Sequence, residues 1–347
     1  MITTPSFPPF IGGGERYAGT LARQLVARGQ TVTVLTSAAL KESDFWQGCG
    51  QDVEVEKAEP GLTIIRTPIR PMPGGFRGLL AWRKSMVLLS TIPGTLAALQ
   101  TMAERVPAMT QLEKAFAYID GPVDVVHGFN ISWEQAMMAG WRYSRQKERP
   151  FVVTPYAHLG TGPRDRVALN STMRHQLHIL STADLLFTLT SAEARGLQAR
   201  GVKQNNVKVA GPGVDIPETV LALPETGAAL KPYVLFIGRT SYDKGAFHAV
   251  HAVLRLRERG SDIQLVVIGR ETDEFRRFYN GLPVSDQRFV HILGLVEENL
   301  KHAYLRDAEA LLLPSRTDSF GIVLLESWLH SRPVVAAAAG GIPAVVD

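Results

Sequence analysis

Residues 233–245, YVLFIGRTSYDKG, decide the fold. The apolar run Tyr233 to Ile237 is too short for a helix and suits a strand covered on both faces, and Gly238 ends it in a Gly-Arg turn. From Ala246 to Arg259 the period changes: Val250, Val253 and Leu254 recur at three and four residues, and Gly260 stops the segment. Strand, glycine turn and helix in that order make one unit of a parallel sheet. The turn then places Arg239 and Lys244 at the carboxyl edge of the sheet, where open α/β sheets bind ligands.

The same alternation extends in both directions. Strands are predicted at 31–37, 62–66, 123–127, 151–155, 184–190, 207–210, 263–269, 289–293, 310–315 and 333–337, with helical-period segments between them, such as 15–28 closed by Gly29. Only Pro212 to Pro232, with four prolines and no sustained period, breaks the pattern and reads as a linker. The expected organisation is an α/β chain of two Rossmann-like domains, 1–211 and 233–347, joined by 212–232. The chain opens on ITTPSFPPF, where a first strand should already be running, and closes on GGIPAVVD, where a helix should begin. Both ends therefore read as cut, with the second domain incomplete.

Composition narrows the function. With 37 Lys and Arg against 33 Asp and Glu, the chain lacks the excess of positive charge that a nucleic-acid binder carries on one face. One cysteine, Cys49, and nine scattered histidines supply neither a disulfide framework nor a thiolate zinc site, and no DxD-like motif sits at a strand end, so metal-independent chemistry is expected. The opening residues lack a basic, apolar leader, and the most apolar stretch, 85–99, is interrupted by Pro93 and Gly94, short of the roughly 20 residues of a spanning helix. The expected location is cytoplasmic, peripheral to the inner face of the membrane. Between Glu59 and Glu104 there is no acidic residue, while Arg66, Arg70, Arg77, Arg83 and Lys84 lie beside Phe76, Leu79, Leu80 and Trp82. That stretch reads either as a contact with an anionic membrane surface or as a solvated rim near an anionic substrate.

Three further features bear on chemistry. Gly12, Gly13 and Gly14 precede a helix whose amide groups attract anions, or form a plain tight turn. Arg239 and Lys244 share a loop and suit a diphosphate, one with a planar fork and one with a point charge, unless they are merely exposed. In RTDSFGIVLLESWLHSRPVV, residues 316–335, a helix is expected from Phe320 with Glu326 two turns inside it. Asp318 and Glu326 are then an N-cap and a surface residue, or acceptors for sugar hydroxyls beside the Ser319, Phe320 and Gly321 amides.

GRTSYDKG, DSFGIVLLE with acids eight apart, and GGIP, in order after GGGER, resemble the retaining GT-B glycosyltransferases of the family-4 type, over Thr3 to Asp347. The resemblance implies two domains facing across a cleft. The second would bind a nucleotide-sugar and the first a sugar or lipid-linked acceptor, with no cofactor, metal or nucleic acid. Arg239 and Lys244 would hold the donor diphosphate, Glu326 the ribose, Asp318 the transferred sugar, and Ser319, Phe320 and Gly321 the donor. Gly12, Gly13 and Gly14 would approach the phosphate side. His158, in TPYAHLG, matches a histidine near the reacting carbon, and His127 a polar strand end. The resemblance makes His158 and Asp318 the catalytic candidates. Asp318 stands where the family usually has Glu, and Ala344 where GGIP is usually followed by Glu.

In that chemistry fixed cations stabilise a departing nucleoside diphosphate more in the transition state than before it. Retention, with the donor phosphate taking the acceptor proton, follows from the family. The alternative is a non-catalytic partner or nucleotide-sugar-binding subunit of the same fold, suggested by Asp318, Ala344 and the missing end. A nicotinamide-dependent dehydrogenase lacks its GxGxxG fingerprint here. A nucleotide-sugar epimerase would need a different acidic and histidine pattern.

Overall fold

Strands form where apolar, β-branched residues are covered on both faces, and helices where the apolar period lengthens. The computed structural model describes residues 1–160, 165–217 and 219–346, in two units, Met1–Gly211 and Pro212–Asp347. The first holds β1 (Ile2–Thr3), β2 (Val32–Ser37), β3 (Glu54–Glu59), β4 (Leu62–Thr67), β5 (Val126–Phe129), β6 (Phe151–Thr154), β7 (Leu185–Thr188) and β8 (Val207–Val209). They lie in the order β3-β4-β2-β1-β5-β6-β7-β8, parallel except that β3 runs antiparallel to β4. The Glu134–Gln146 helix buries Ala136, Met137 and Met138. Its Gly140 lies so close to β1 that a Cβ there would be 2.4 Å from Thr3 Oγ1.

The second unit is a fully parallel sheet of β9 (Tyr233–Ile237), β10 (Gln264–Ile268), β11 (Val290–Gly294), β12 (Ala310–Leu313) and β13 (Val334–Ala336), in the order β11-β10-β9-β12-β13. Alternation along β9 divides the core: Tyr233 and Leu235 pack with Tyr304 and Leu305, whereas Val234 and Phe236 pack with Val250, Val253 and Phe275. Each fully buried side chain of this size contributes about 1.5–3 kcal/mol over an exposed one. Among the described residues no helix is long and apolar enough to cross a membrane.

Several readings of the sequence are corrected. The strand expected at 123–127 begins only at Val126, and β1 and β3 were not expected. Within the stretch expected as a linker, Glu225–Ala228 forms a helical turn, and Leu223 and Leu230 pack on the second unit's core. In the acid-free stretch, Arg66 and Arg83 turn inward rather than toward membrane or solvent. Arg66 donates to the Pro8 carbonyl, and Arg83 pairs with the buried Glu134. Each guanidinium group meets a fixed acceptor inside, although Arg66 Nη1 is buried without a partner among the described residues and burial pushes Arg66 below its usual value.

Candidate functional site

In the second unit three adjacent strands end in glycine. The Gly238 amide donates to the Ile268 carbonyl at 2.9 Å, and the Gly269 amide to the Gly294 carbonyl at 2.8 Å. A Cβ on Gly269, whose φ is +141°, would come within 2.0 Å of the Gly238 carbonyl oxygen, so that edge of the sheet stays bare of side chains. The 238–245 loop crosses to the end of β12 at Gly245, with φ +84°, where a Cβ would lie 2.2 Å from the Pro314 carbonyl oxygen. That approach carries Lys244 to Asp318: Nζ donates to Oδ1 at 2.7 Å, and both residues are half-buried. Arg239 donates to Ser241 Oγ at 3.2 Å and to Asp243 Oδ2 at 3.3 Å, and Thr317 Oγ1 donates to the same Asp243 oxygen at 3.1 Å. Burial pushes the Asp243 carboxyl up, but the Ser241 hydroxyl, Arg239, Lys244 and Thr317 together hold it below its usual value.

Ser319 and Phe320 are half-buried, and Gly321 caps the Ile322–Leu329 helix in the left-handed region, φ +86°. The helix starts at Ile322 and not at Phe320, so Glu326 lies about one turn inside it and not two. Glu326 is buried, and its Oε1 accepts from Lys301 Nζ at 2.9 Å. Lys301 also donates to Glu298 at 2.5 Å. The GGIP turn closes over the Asp318 loop, with the Gly341 amide donating to the Asp318 carbonyl at 2.7 Å. A Cβ on Gly341 would stand 1.8 Å from the Ser319 carbonyl oxygen, so the glycines of that turn serve contact with the loop.

In the first unit Gly12 is the N-cap of the Gly13–Ala27 helix, which starts two residues earlier than its period predicts. Gly13 and Gly14 therefore occupy its first turn. A Cβ on Gly14 would be 2.8 Å from the Tyr156 ring, and the Tyr156 hydroxyl donates to the Gly14 carbonyl at 3.1 Å. Ser6 Oγ donates to Glu15 Oε1 at 2.5 Å, and burial raises the Glu15 carboxyl above its ordinary value against the Ser6 hydrogen bond. Tyr156 itself is held at φ +49°, a strained value for a bulky residue. The Ala157 amide donates to Glu193 Oε1 at 2.6 Å and the His158 amide to Ser171 Oγ at 3.3 Å. Burial pushes Glu193 up to about 7. His127 lies on Phe129, 4.1 Å between rings, with Nε2 2.8 Å from Thr154 Oγ1, and burial pushes it down to about 3.

Comparison with known proteins fits this geometry to a family. Residues 12–213 match the glycosyl transferase 4-like domain, more than half of the chain, and residues 231–347 match glycosyl transferases group 1. The chain belongs to the glycosyl transferase 4-like family. This glycosyltransferase is 26% identical, over 96% of its length and 77% of the relative's, to a D-inositol 3-phosphate glycosyltransferase of Xylanimonas cellulosilytica. It also resembles Anabaena HepE, solved with UDP-glucose, with TM-score 0.63, 17% identity, and coverage of 98% of this chain and 81% of the other. An α,α-trehalose-phosphate synthase (UDP-forming) of Burkholderia vietnamiensis gives TM-score 0.65 at 13% identity, covering 98% and 82%. At these identities the structural likeness is one of fold, the GT-B class of two parallel α/β units. The partner-subunit alternative is not favoured.

Of the expected site residues in the glycosyltransferase, the structure brings Lys244 to Asp318, and the Gly14 turn to the loop carrying His158. Arg239 engages Ser241 and Asp243 in its own loop. Sequence reasoning missed Asp243, although it lies inside GRTSYDKG, because its role appears only when Arg239 and Thr317 converge on it. Lys301 was missed for a different reason: nothing local distinguishes it from a surface lysine, and its partner is 25 residues away.

Proposed function

We propose that this glycosyltransferase moves a hexosyl group from a uridine-diphosphate sugar to a small phosphorylated polyol, with retention and without a metal. The observation that carries the reading is the 2.7 Å pair of Lys244 and Asp318, which puts a cation suited to the diphosphate next to a carboxylate suited to the sugar. Arg239 and Lys244 meet the charge that builds on the leaving diphosphate, Asp318 accepts from hydroxyls of the transferred sugar, and Glu326 from the ribose. The bond from the anomeric carbon to the phosphate oxygen breaks, the diphosphate leaves with the electron pair, and the acceptor oxygen bonds on the same face. Its proton passes to the departing phosphate. The first unit supplies His158 beside the reacting sugar and Gly12, Gly13 and Gly14 for acceptor phosphate. HepE, solved with UDP-glucose, supports the donor class, and the D-inositol 3-phosphate relatives support the acceptor class.

The test is a thermal-shift series with UDP-, GDP- and ADP-sugars and NADH, followed by turnover with D-inositol 3-phosphate. Stabilisation by one UDP-sugar is expected, about 2.7 kcal/mol at a hundredfold excess over Kd. It should be lost in Lys244→Ala, with turnover down by about 10²–10³. Cooperative melting with no response to any sugar nucleotide would refute the reading.

A second reading places the acceptor at an anionic membrane, with the enzyme peripheral to it. On the Gly75–Ser90 helix Phe76, Leu80 and Leu88 are 50%, 44% and 69% exposed, beside exposed Arg77 and Lys84. Apolar groups that enter headgroups and cations that meet anionic lipid suit such a surface. Co-sedimentation with phosphatidylglycerol vesicles at low salt, lost in Arg77→Glu/Lys84→Glu, is expected. Equal recovery with neutral vesicles would refute it.

A further inference from the structure

The first unit holds a buried polar cluster that no step of the transfer uses. Glu134 opens its helix and is fully buried. Its Oε1 accepts from Arg83, from Gln176 Nε2 at 2.8 Å, and from His175 Nε2 at 3.3 Å. Burial pushes this carboxyl up, but Arg83 and His175 hold it below the usual carboxylate range. Glu134 Oε2 and His175 Nδ1, both on fully buried side chains, have no hydrogen-bond partner among the described residues. An orphaned buried polar atom costs about 1–3 kcal/mol. Apolar residues of equal volume often match or exceed a buried ion pair in stability. Stability alone therefore does not account for the cluster.

What the cluster holds is backbone. Arg83 Nη2 donates to the carbonyls of Ser132 at 3.0 Å and Asn170 at 3.2 Å, and Gln176 Nε2 donates to the Asn170 carbonyl at 2.9 Å. Ser132 Oγ and Ser171 Oγ are 3.1 Å apart, and Ser171 Oγ accepts the His158 amide. The guanidinium spreads these bonds over two fixed nitrogens, Nη1 to the carboxylate and Nη2 to the two carbonyls, a planar spacing that the single ammonium nitrogen of a lysine does not reproduce. We infer that Arg83 and Glu134 are positioning residues that fix His158 through Ser132 and Ser171. The inference rests on the proposed role of His158 beside the transferred sugar. Glu134 anchors the guanidinium, the guanidinium draws the 132 and 170 turns together, and the two serine hydroxyls pass that spacing to the His158 backbone.

The experiment compares Ser171→Ala and Arg83→Lys, alone and in a His158→Ala background, in the full chain. UDP release from UDP-glucose is the rate readout. The His158 imidazole NMR signal, assigned by its loss in His158→Ala, is the second. Each variant is expected to lower kcat about tenfold to a hundredfold with donor KM nearly unchanged, since small misplacements of a reacting group cost that much. In the His158→Ala background the added loss should vanish. An undiminished loss in that background overturns the inference, as does wild-type kcat in Ser171→Ala with the imidazole signal unmoved. If Arg83→Lys does not fold, Ser171→Ala, which removes one oxygen and no charge, carries the test. If His158→Ala turns over at the wild-type rate, the role of His158 fails by itself. Positioning is then decided by the signal: displacement in Ser171→Ala sustains it, and an unmoved signal refutes it.

Discussion

The carboxyl edges of the two sheets are finished in opposite ways. In the second unit β9, β10 and β11 end in glycines, and the loops beyond carry Arg239, Asp243, Lys244 and Asp318 in paired charges. In the first unit β5 and β6 run into Phe129 and Tyr156, with Tyr17 edge-on to both and His127 stacked on Phe129. One edge is bare and lined by paired charges, the other is aromatic. Bare backbone beside fixed cations favours a diphosphate, whereas ring faces favour the apolar faces and hydroxyls of a sugar. Two sheets of one architecture thus differ in chemistry through the residues at and just beyond their strand ends, which is the division of labour that the proposed transfer requires.

The sharpest way to break the contrast is Gly245→Ala. It adds a left-handed alanine and drives a methyl into the Pro314 carbonyl, so the second unit should lose roughly 3 kcal/mol or more. Urea unfolding reads this directly. A loss below about 1 kcal/mol would mean that the bare edge does not depend on glycine.

The neutral state of His127 at the first unit's aromatic edge is tested by pH. Folded His127 takes its proton only near pH 3, whereas the unfolded chain takes it near 6.5. Its contribution to stability is complete above pH 6.5 and is lost progressively as the pH falls toward 3, by at most about 1.4 kcal/mol per pH unit. His127→Gln should flatten that decline in a series of unfolding curves. An unchanged slope would mean that His127 is charged in the folded protein. The smallest effect belongs to the exposed helix: Arg77→Glu/Lys84→Glu should change stability by no more than about 0.5 kcal/mol. A larger change by thermal melting would show that the two side chains take part in packing.

The fold was legible because buried parallel strands leave uninterrupted apolar runs such as YVLFI, and because Gly29 and Gly260 mark helix ends. β3 was not, since EVEKAE is exposed throughout and becomes a strand only by pairing with β4. Its charges defend an edge, which is a property of the sheet and not of the segment. The motifs of the site were legible as spacings, but their partners were not. Arg83 reads as one more basic residue on an apolar helix until Glu134, 51 residues on, is folded against it. Composition ranks such a residue as surface, and only the tertiary fold supplies the carboxylate that draws it in.

The Lys244–Asp318 pair has a consequence for how the enzyme works among salts. A lysine already matched by its own carboxylate holds fewer mobile counterions, so under the proposed role a diphosphate would exchange one anion for another instead of filling a naked positive site. Affinity is then less sensitive to ionic strength than two cations alone would make it. If Lys244 meets the donor diphosphate as proposed, the same ammonium group serves a carboxylate before the donor binds and a phosphate once it has bound.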